Sequence, residues 1–329
     1  MAKNRITVIY NPGAGDHMQP SAGQLRALIK EAGYKVHFQS TDEKGWEKAL
    51  RREVDIIVVA GGDGTVTSVA RRVVGKGVPL AVLPLGTANN ISKTLGISEL
   101  PVTYLIPSWR KSQSVSFNAG LACGPWGRRH FIEGAGIGLL TSSMPRVESN
   151  KTLAQLRISD VKVSYAQQLF RDHVLDAPAV AIDGTLDGND ISGKYLLMEV
   201  MNIQYIGPNL LLAPDVSHGS GKFEIVLGSE SNRGKLRSHI KQWQDGKLVP
   251  PEFETLRGKR LEIEWTGFKI HLDDKVWPKP QESRGISRAR LKFEIVPKAI
   301  TFLMPSEIYA QQKLVKKNSE NANSKSRKG

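Results

Sequence analysis

The chain has 329 residues, 40% of them hydrophobic and 31 of them glycine, which is long enough for two domains and ordinary for an α/β protein with many turns. Its one cysteine, Cys123, excludes internal disulfides and cysteine-based zinc clusters, and no apolar run approaches the roughly 20 residues that cross a bilayer. With 46 Lys and Arg against 32 Asp and Glu, a formal charge of +14, an anionic partner is expected.

Residues 1–5 lead straight into a short apolar strand over 6–10 rather than into a secretory signal, so a cytoplasmic protein is expected. Asn11-Pro12-Gly13-Ala14-Gly15 follows that strand and opens toward a helix beginning near Pro20. Residues 54–60 read as a buried strand of a parallel sheet, and Gly61, Gly62 and Gly64 then let the backbone turn sharply with its N–H groups near a ligand. A helix over 65–74 would turn its positive end to a bound anion. Asp63 lies in the middle of that turn. A carboxylate beside phosphates is repulsive unless a cation such as Mg²⁺ lies between them, so the loop points to a metal-nucleotide; the plainer alternative is a tight turn with Asp63 as helix cap. A third strand over 80–83 runs into Pro84-Leu85-Gly86-Thr87-Ala88-Asn89-Asn90 and a helical pattern over 91–95. Loops at the carboxyl ends of parallel strands converge on one crevice.

Up to about residue 115, strand and helix patterns alternate, as in a doubly wound, mostly parallel sheet. From about Ser116 the texture is different: residues 114–119, 129–133, 177–183, 193–202 and 222–227 read as strands between Gly, Pro, Asp and Asn turns, which predicts a β-rich, sandwich-like second domain. Leu153, Leu156, Val161, Tyr165 and Leu169 recur at helical spacing and are expected to pack in a core. Over 233–245, Leu236, Ile240 and Trp243 share one helical face beside Lys235, Arg237, His239 and Lys241; this helix either rests on an anionic membrane or packs its apolar side on the domain. The stretch 313–329, with six Lys or Arg and one Glu, is expected to be disordered. No helix-turn-helix, zinc finger or RNP-type motif is present, which turns the charge argument from nucleic acid toward an anionic membrane surface. An exposed sheet edge in the β-rich domain leaves a homodimer open. No Walker A or protein-kinase motif occurs, so the glycine-aspartate loop is the expected nucleotide cradle.

Asn11-Pro12-Gly13-Ala14-Gly15, Gly61-Gly62-Asp63-Gly64-Thr65 and Gly86-Thr87-Ala88-Asn89, in that order and spacing, resemble the diacylglycerol kinase catalytic-domain family of bacterial lipid kinases and their sphingosine and ceramide kinase relatives. The resemblance continues through Phe131-Ile132-Glu133-Gly134-Ala135-Gly136-Ile137-Gly138, Leu211-Leu212-Ala213-Pro214, Ile295-Val296-Pro297 and Leu303-Met304-Pro305. It implies a nucleotide-binding domain over 1–115, a β-rich lipid-substrate domain over 116–305 whose last segment packs back on the first, and a basic tail over 306–329. It also implies an ATP site built from Asn11, Thr41, Gly61, Gly62, Asp63, Gly64, Thr65, Ser68, Gly86, Thr87 and Asn89. In that site Asp63 lies near Mg²⁺, and Asp273 deprotonates the hydroxyl of a lipid alcohol at the membrane surface.

Three positions depart from the family pattern: Ser68 stands where many members carry Glu, Asp273-Asp274-Lys275 replaces Asp-Gly-Glu, and Ser220-Gly221 replaces the Asp-Gly of a structural magnesium site. Those departures keep a non-catalytic nucleotide- or lipid-binding protein as the rival expectation. A kinase for NAD, which uses a similar glycine-aspartate loop on a related fold, is a third.

Overall fold

The computed structural model describes residues 4–15, 19–217, 219–247, 249 and 252–314. Its first half is a parallel sheet in the order β4-β3-β1-β2, formed by β1 (Arg5–Tyr10), β2 (Lys35–Ser40), β3 (Ile56–Gly61) and β4 (Leu80–Pro84). All six residues of β3 and all five of β4 are buried, which explains their unbroken apolar sequences. The connecting helices are α1 (Ala22–Glu31), entered through a capping box between Ser21 and Gln24, α2 (Asp63–Val73) and the single turn α3 (Asn90–Thr94). Because every strand in this set runs the same way, the loops after β1, β3 and β4 meet at one end of the sheet.

The second half is a sandwich. Strands β5 (Ser112–Gly124) and β6 (Gly127–Phe131) join Ala289–Pro305, Arg260–Trp265 and Gly184–Leu186 in an antiparallel extension of the first sheet. A second, antiparallel sheet holds β7 (Gly134–Gly138) between Gly193–Met201 and Ile270–Leu272, with Phe223–Ser229 and Glu254–Gly258 beyond. Phe131, Leu261 and Phe293 of the first sheet interdigitate with Ile137, Val200 and Phe223 of the second. Phe131 stacks on Phe223 at a centroid distance of 5.6 Å. The expected architecture, a mostly parallel α/β sheet followed by a β-rich domain, is the one observed.

One strand stitches the halves together. Ala289–Pro305 is 17 residues long; its first part lies in the sandwich, and Phe302 then pairs in parallel with Leu80 of β4. Ala299, Ile300, Phe302, Leu303 and Met304 are thereby buried in the core of the first half.

The two amphipathic patterns have different outcomes. On Arg233–Gln244, the side chains of Leu236, Ile240 and Trp243 are buried against the second sheet, so this apolar face belongs to the core. On Lys151–Gln155 and Ser159–His173, by contrast, Leu153, Leu156, Val161, Tyr165 and Leu169 all escape full burial, and the buried positions are Ala166, Gln167, Phe170 and His173. Ile158 and Val161 are 55% and 44% exposed. The expected core helix thus turns its N-terminal apolar side chains to solvent. The tail also differs at its start: residues 306–314 are helical, with Ile308 and Tyr309 against the first core, while 315–329 lie outside the described residues. Among the described residues no helix is long and apolar enough to cross a membrane.

Candidate active site

Three loops build a cleft at the carboxyl end of the parallel sheet. Asn11 follows β1 and ties the first loop to the second: its Nδ2 donates to Thr65 Oγ1 at 2.9 Å while its Oδ1 accepts from the N–H of Gly13 at 3.0 Å. Asn89, in the left-handed region at φ 55°, staples the third loop, with Oδ1 accepting from Gly86 N–H at 3.0 Å and Nδ2 donating to the Gly86 carbonyl at 2.9 Å. The second and third glycine loops touch. A Cβ on Gly62 would stand 2.9 Å from the Cα of Gly86, so neither position has room for a side chain.

The cleft holds a cavity of about 430 Å³. Asn11, Thr41, Gly62, Gly64, Thr65, Ser68, Gly86 and Thr87 of the expected nucleotide set line it. Gly61, Asp63 and Asn89 of that set are not among the lining residues. Trp46, which has no part in the sequence pattern, forms an apolar wall, and the guanidinium of Arg72 sits over its ring at 5.2 Å. Arg72 also donates to Ser68 Oγ at 2.8 Å, so this serine is held by a cation from its own helix. The i, i+4 spacing of Ser68 and Arg72 was the available signal for that pair.

Asp63 faces away from the cavity. Its two oxygens accept from the backbone N–H groups of Asn90 at 2.9 Å and Ile91 at 3.1 Å, the free amides at the start of α3. It therefore caps α3, joining the second loop to the third, rather than α2 in which it sits. Burial pushes its carboxyl above the ordinary range, against the pull of those amides.

Asp273 is drawn equally far inward. It occupies the left-handed region at φ 51°, and Oδ1 accepts from the N–H groups of Ile132 and Glu133, each at 2.8 Å. Its Oδ2 meets the Arg71 guanidinium at 3.0 Å, and the Asp273 side chain has no exposed surface. Burial raises its carboxyl and Arg71 with the amides opposes this, leaving it above the usual carboxylate range. Both oxygens are thus engaged away from the cavity. Arg71 lies 202 residues from Asp273 in sequence, and nothing local links the two.

The neighbouring residue behaves differently. Asp274 is 38% exposed and its Oδ2 stands 3.4 Å from where a Cβ of Gly64 would be, at the rim of the cavity. Lys275 pairs with Asp274 at 3.0 Å, not with Asp273. Glu133 completes the group: burial first, then the charges of Asp63, Asp273 and Asp274, push its carboxyl well above the ordinary range. Asn90 beside it donates through Nδ2 to the Gly207 carbonyl at 2.9 Å, and its Oδ1 is buried without a hydrogen-bond partner.

The residues present fit a nucleotide: glycine loops, a helix start and an aromatic wall surround a cavity of suitable size. They do not form a separate metal cage, since no group of three or more His, Cys, Asp or Glu is arranged for a metal among the described residues. A magnesium ion in this cleft would be held through nucleotide phosphates with at most one or two carboxylates.

Residues 5–121 match the family model of the diacylglycerol kinase catalytic domain. The chain is similar to a diacylglycerol kinase of Bacillus subtilis, 25% identical over 251 residues that span 69% of this chain and 75% of that one. A diacylglycerol kinase of Staphylococcus aureus is likewise 25% identical, over 246 residues, covering 72% of this chain and 74% of its own length. Among solved structures, a diacylglycerol kinase from Bacillus anthracis aligns with a TM-score of 0.67 at 20% identity over 92% of this chain and 98% of that one. Yeast NADH kinase aligns with a TM-score of 0.51 at 10% identity, over 92% of this chain and 84% of its own, a likeness of fold.

Proposed function

The chain belongs to the diacylglycerol kinase catalytic-domain family and is a kinase, a phosphotransferase with an alcohol acceptor, and from that premise we propose that it transfers the γ-phosphate of Mg·ATP to the hydroxyl of a diacylglycerol-like lipid alcohol. The observation that carries this reading is the cavity of about 430 Å³ where three glycine-bearing loops meet at the carboxyl ends of parallel strands. Phosphoryl transfer asks a protein mainly to position the nucleotide and to place charge around the moving phosphate. Backbone amides from Gly62 to Gly64 at the start of α2 cradle the phosphates, the hydroxyls of Thr41 and Thr87 help hold the nucleotide, and the Trp46 ring packs against its apolar part. Magnesium entering with the nucleotide neutralises phosphate charge. Asp63 fixes the second and third loops to each other, which keeps the cradle in register.

The lipid surface is reached through the outward side of the helices over 151–173. Ile158 and Val161 present apolar groups beside Lys151, Arg157 and Lys162, a combination that suits an anionic interface. The protein then acts peripherally, drawing its acceptor into the cleft from the bilayer edge.

The test is transfer of label from γ-labelled ATP by the purified chain to a panel of diacylglycerol, monoacylglycerol, a sphingoid base, phosphatidylglycerol and a prenol in mixed micelles, with NAD as a non-lipid arm. Label in one lipid alcohol and none in NAD is the expected result. Label in NAD, or ATP binding with no label in any acceptor, overturns the lipid-kinase reading.

A further inference from the structure

We propose that Glu199 and His271, a buried pair in the second sheet, are positioning residues for nucleotide binding: they hold the turn at Asp273 and, through it, Arg71 and helix α2, an assignment that rests on the kinase reading above. Strand β7 runs between the two strands that carry the pair, and its Gly136 stands opposite both residues. Glu199 reaches across it. A Cβ on Gly136 would lie 2.1 Å from Glu199 Oε2, so the glycine is what leaves the carboxylate room. Oε2 meets His271 Nε2 at 2.7 Å, and the other ring nitrogen, Nδ1, meets the carbonyl oxygen of Asp273 at 3.1 Å. Both side chains are enclosed, at 0% and 2% exposure.

A carbonyl oxygen can only accept, so Nδ1 carries a hydrogen. The contact with Glu199 then needs one more proton, either on Nε2 facing an ionised carboxylate or on Glu199 facing a neutral ring. The pair keeps that proton. Burial pushes the Glu199 carboxyl up against the pull of His271; at His271 burial lowers the imidazole, and the Glu199 carboxylate outweighs it and holds the ring above its ordinary range.

Stability alone gives no reason for such a pair. Glu199 Oε1 is buried without a hydrogen-bond partner, and a buried ion pair replaced by apolar groups of like size is often no less stable. Its distinct contribution is the bond to the Asp273 carbonyl. Asp273 lies in the left-handed region at φ 51°, where a residue with a side chain stays only if its surroundings hold it. His271 holds the carbonyl, the amides of Ile132 and Glu133 hold Oδ1, and Arg71 meets Oδ2 at 3.0 Å. The turn thus has two arrangements, one held at φ 51° and one relaxed. Released at its carbonyl, it relaxes, carries the carboxylate off Arg71 and frees the helix whose residues Gly64, Thr65 and Ser68 line the cavity.

The experiment is calorimetric titration of ADP with Mg²⁺ into the full chain without lipid, so that the readout does not depend on turnover. Glu199→Gln donates its amide hydrogen to Nε2 and keeps a neutral ring bonded to Asp273; Glu199→Met with His271→Leu replaces the pair by apolar groups. The expected Kd for ADP lies within about twofold of wild type in Glu199→Gln and rises about tenfold in the apolar double variant, with its nucleotide-free thermal midpoint close to that of wild type. Coupling is reciprocal, so saturation of wild type with ADP is expected to shift the imidazole ¹⁵N resonances of His271, a readout that needs no variant to fold. An apolar double variant that binds ADP as wild type does, a Glu199→Gln protein that has lost affinity equally with it, or His271 resonances that ADP leaves unmoved overturns this assignment alone. A wild type that binds no ADP overturns the nucleotide site of the kinase reading and this assignment together.

Discussion

The buried charges around the cleft hold the structure in place more than they face a ligand. Asp273 and Arg71 form a pair in which one partner is wholly enclosed and the other only partly exposed. Removing the cation leaves a buried carboxylate without compensation, so Arg71→Ala is expected to lose about 3 kcal/mol in urea unfolding, and the Arg71→Ala/Asp273→Asn double variant to recover part of that loss. A double variant no more stable than Arg71→Ala contradicts the pairing. Glu133 gives a pH signature. Its carboxyl is held well up in the folded state by burial and three neighbouring carboxylates, so unfolding releases a proton once the pH exceeds the ordinary glutamate range, near 4.5. The stability this proton lends is full below that range and is lost as pH rises through the raised folded value. Glu133→Gln removes the titration, and its stability relative to wild type is expected to improve steadily from acid to neutral pH. A difference that does not change with pH contradicts the raised value. Asp63, Asp273 and Thr65 were legible in the sequence as site residues, but their directions were not, because the amides and guanidinium that orient the carboxylates come from α3, the turn before β7, and α2. Asp274 was visible only as a departure from a pattern.

At the level of elements, local sequence was informative wherever burial is symmetric. Strands β1, β3 and β4 and the loops after them follow from short apolar runs ended by glycine, since a strand covered on both faces needs nothing else. Strand β2 is only partly buried along its length and carries His37 and Gln39, and its sequence signal is correspondingly faint. Amphipathic helices proved harder. Leu236, Ile240 and Trp243 mark a face without saying what covers it, and the second sheet does. Leu153, Leu156 and Val161 carry a similar signal, yet their helices project beyond the sheet. If that outward side meets lipid, Ile158→Asp with Val161→Asp is expected to weaken co-sedimentation with anionic vesicles by about tenfold, through lost apolar burial and added negative charge, with the thermal midpoint unchanged. Vesicle binding equal to wild type contradicts the assignment of that face.

For the molecule as a whole, the feature that closes the fold is the strand Ala289–Pro305, the last segment that the family resemblance expects to pack back on the first half. It begins in the sandwich and ends beside β4, so the second half of the chain closes the core of the first. Phe302 is fully buried there, edge-on to Phe117 at 4.8 Å. Phe302→Ala is therefore expected to cost about 3–5 kcal/mol and to loosen both halves together. Loss of structure confined to one half contradicts that coupling. The same closure brings Asp274, from the far end of the chain, close to Gly64 in a cleft formed by the first ninety residues, which is why the three-loop cleft was legible and the approach of residues 273–275 to it was not. The decisive measurement is transfer of label from γ-labelled ATP to diacylglycerol in mixed micelles by wild type and by Gly86→Ala, in which a new Cβ must push the third glycine loop off Gly62. Label in the lipid with wild type, and a loss of about 100-fold or more in a Gly86→Ala protein that remains folded, is the expected outcome; no label with wild type, or equal label with both proteins, contradicts a lipid kinase whose nucleotide lies between these loops.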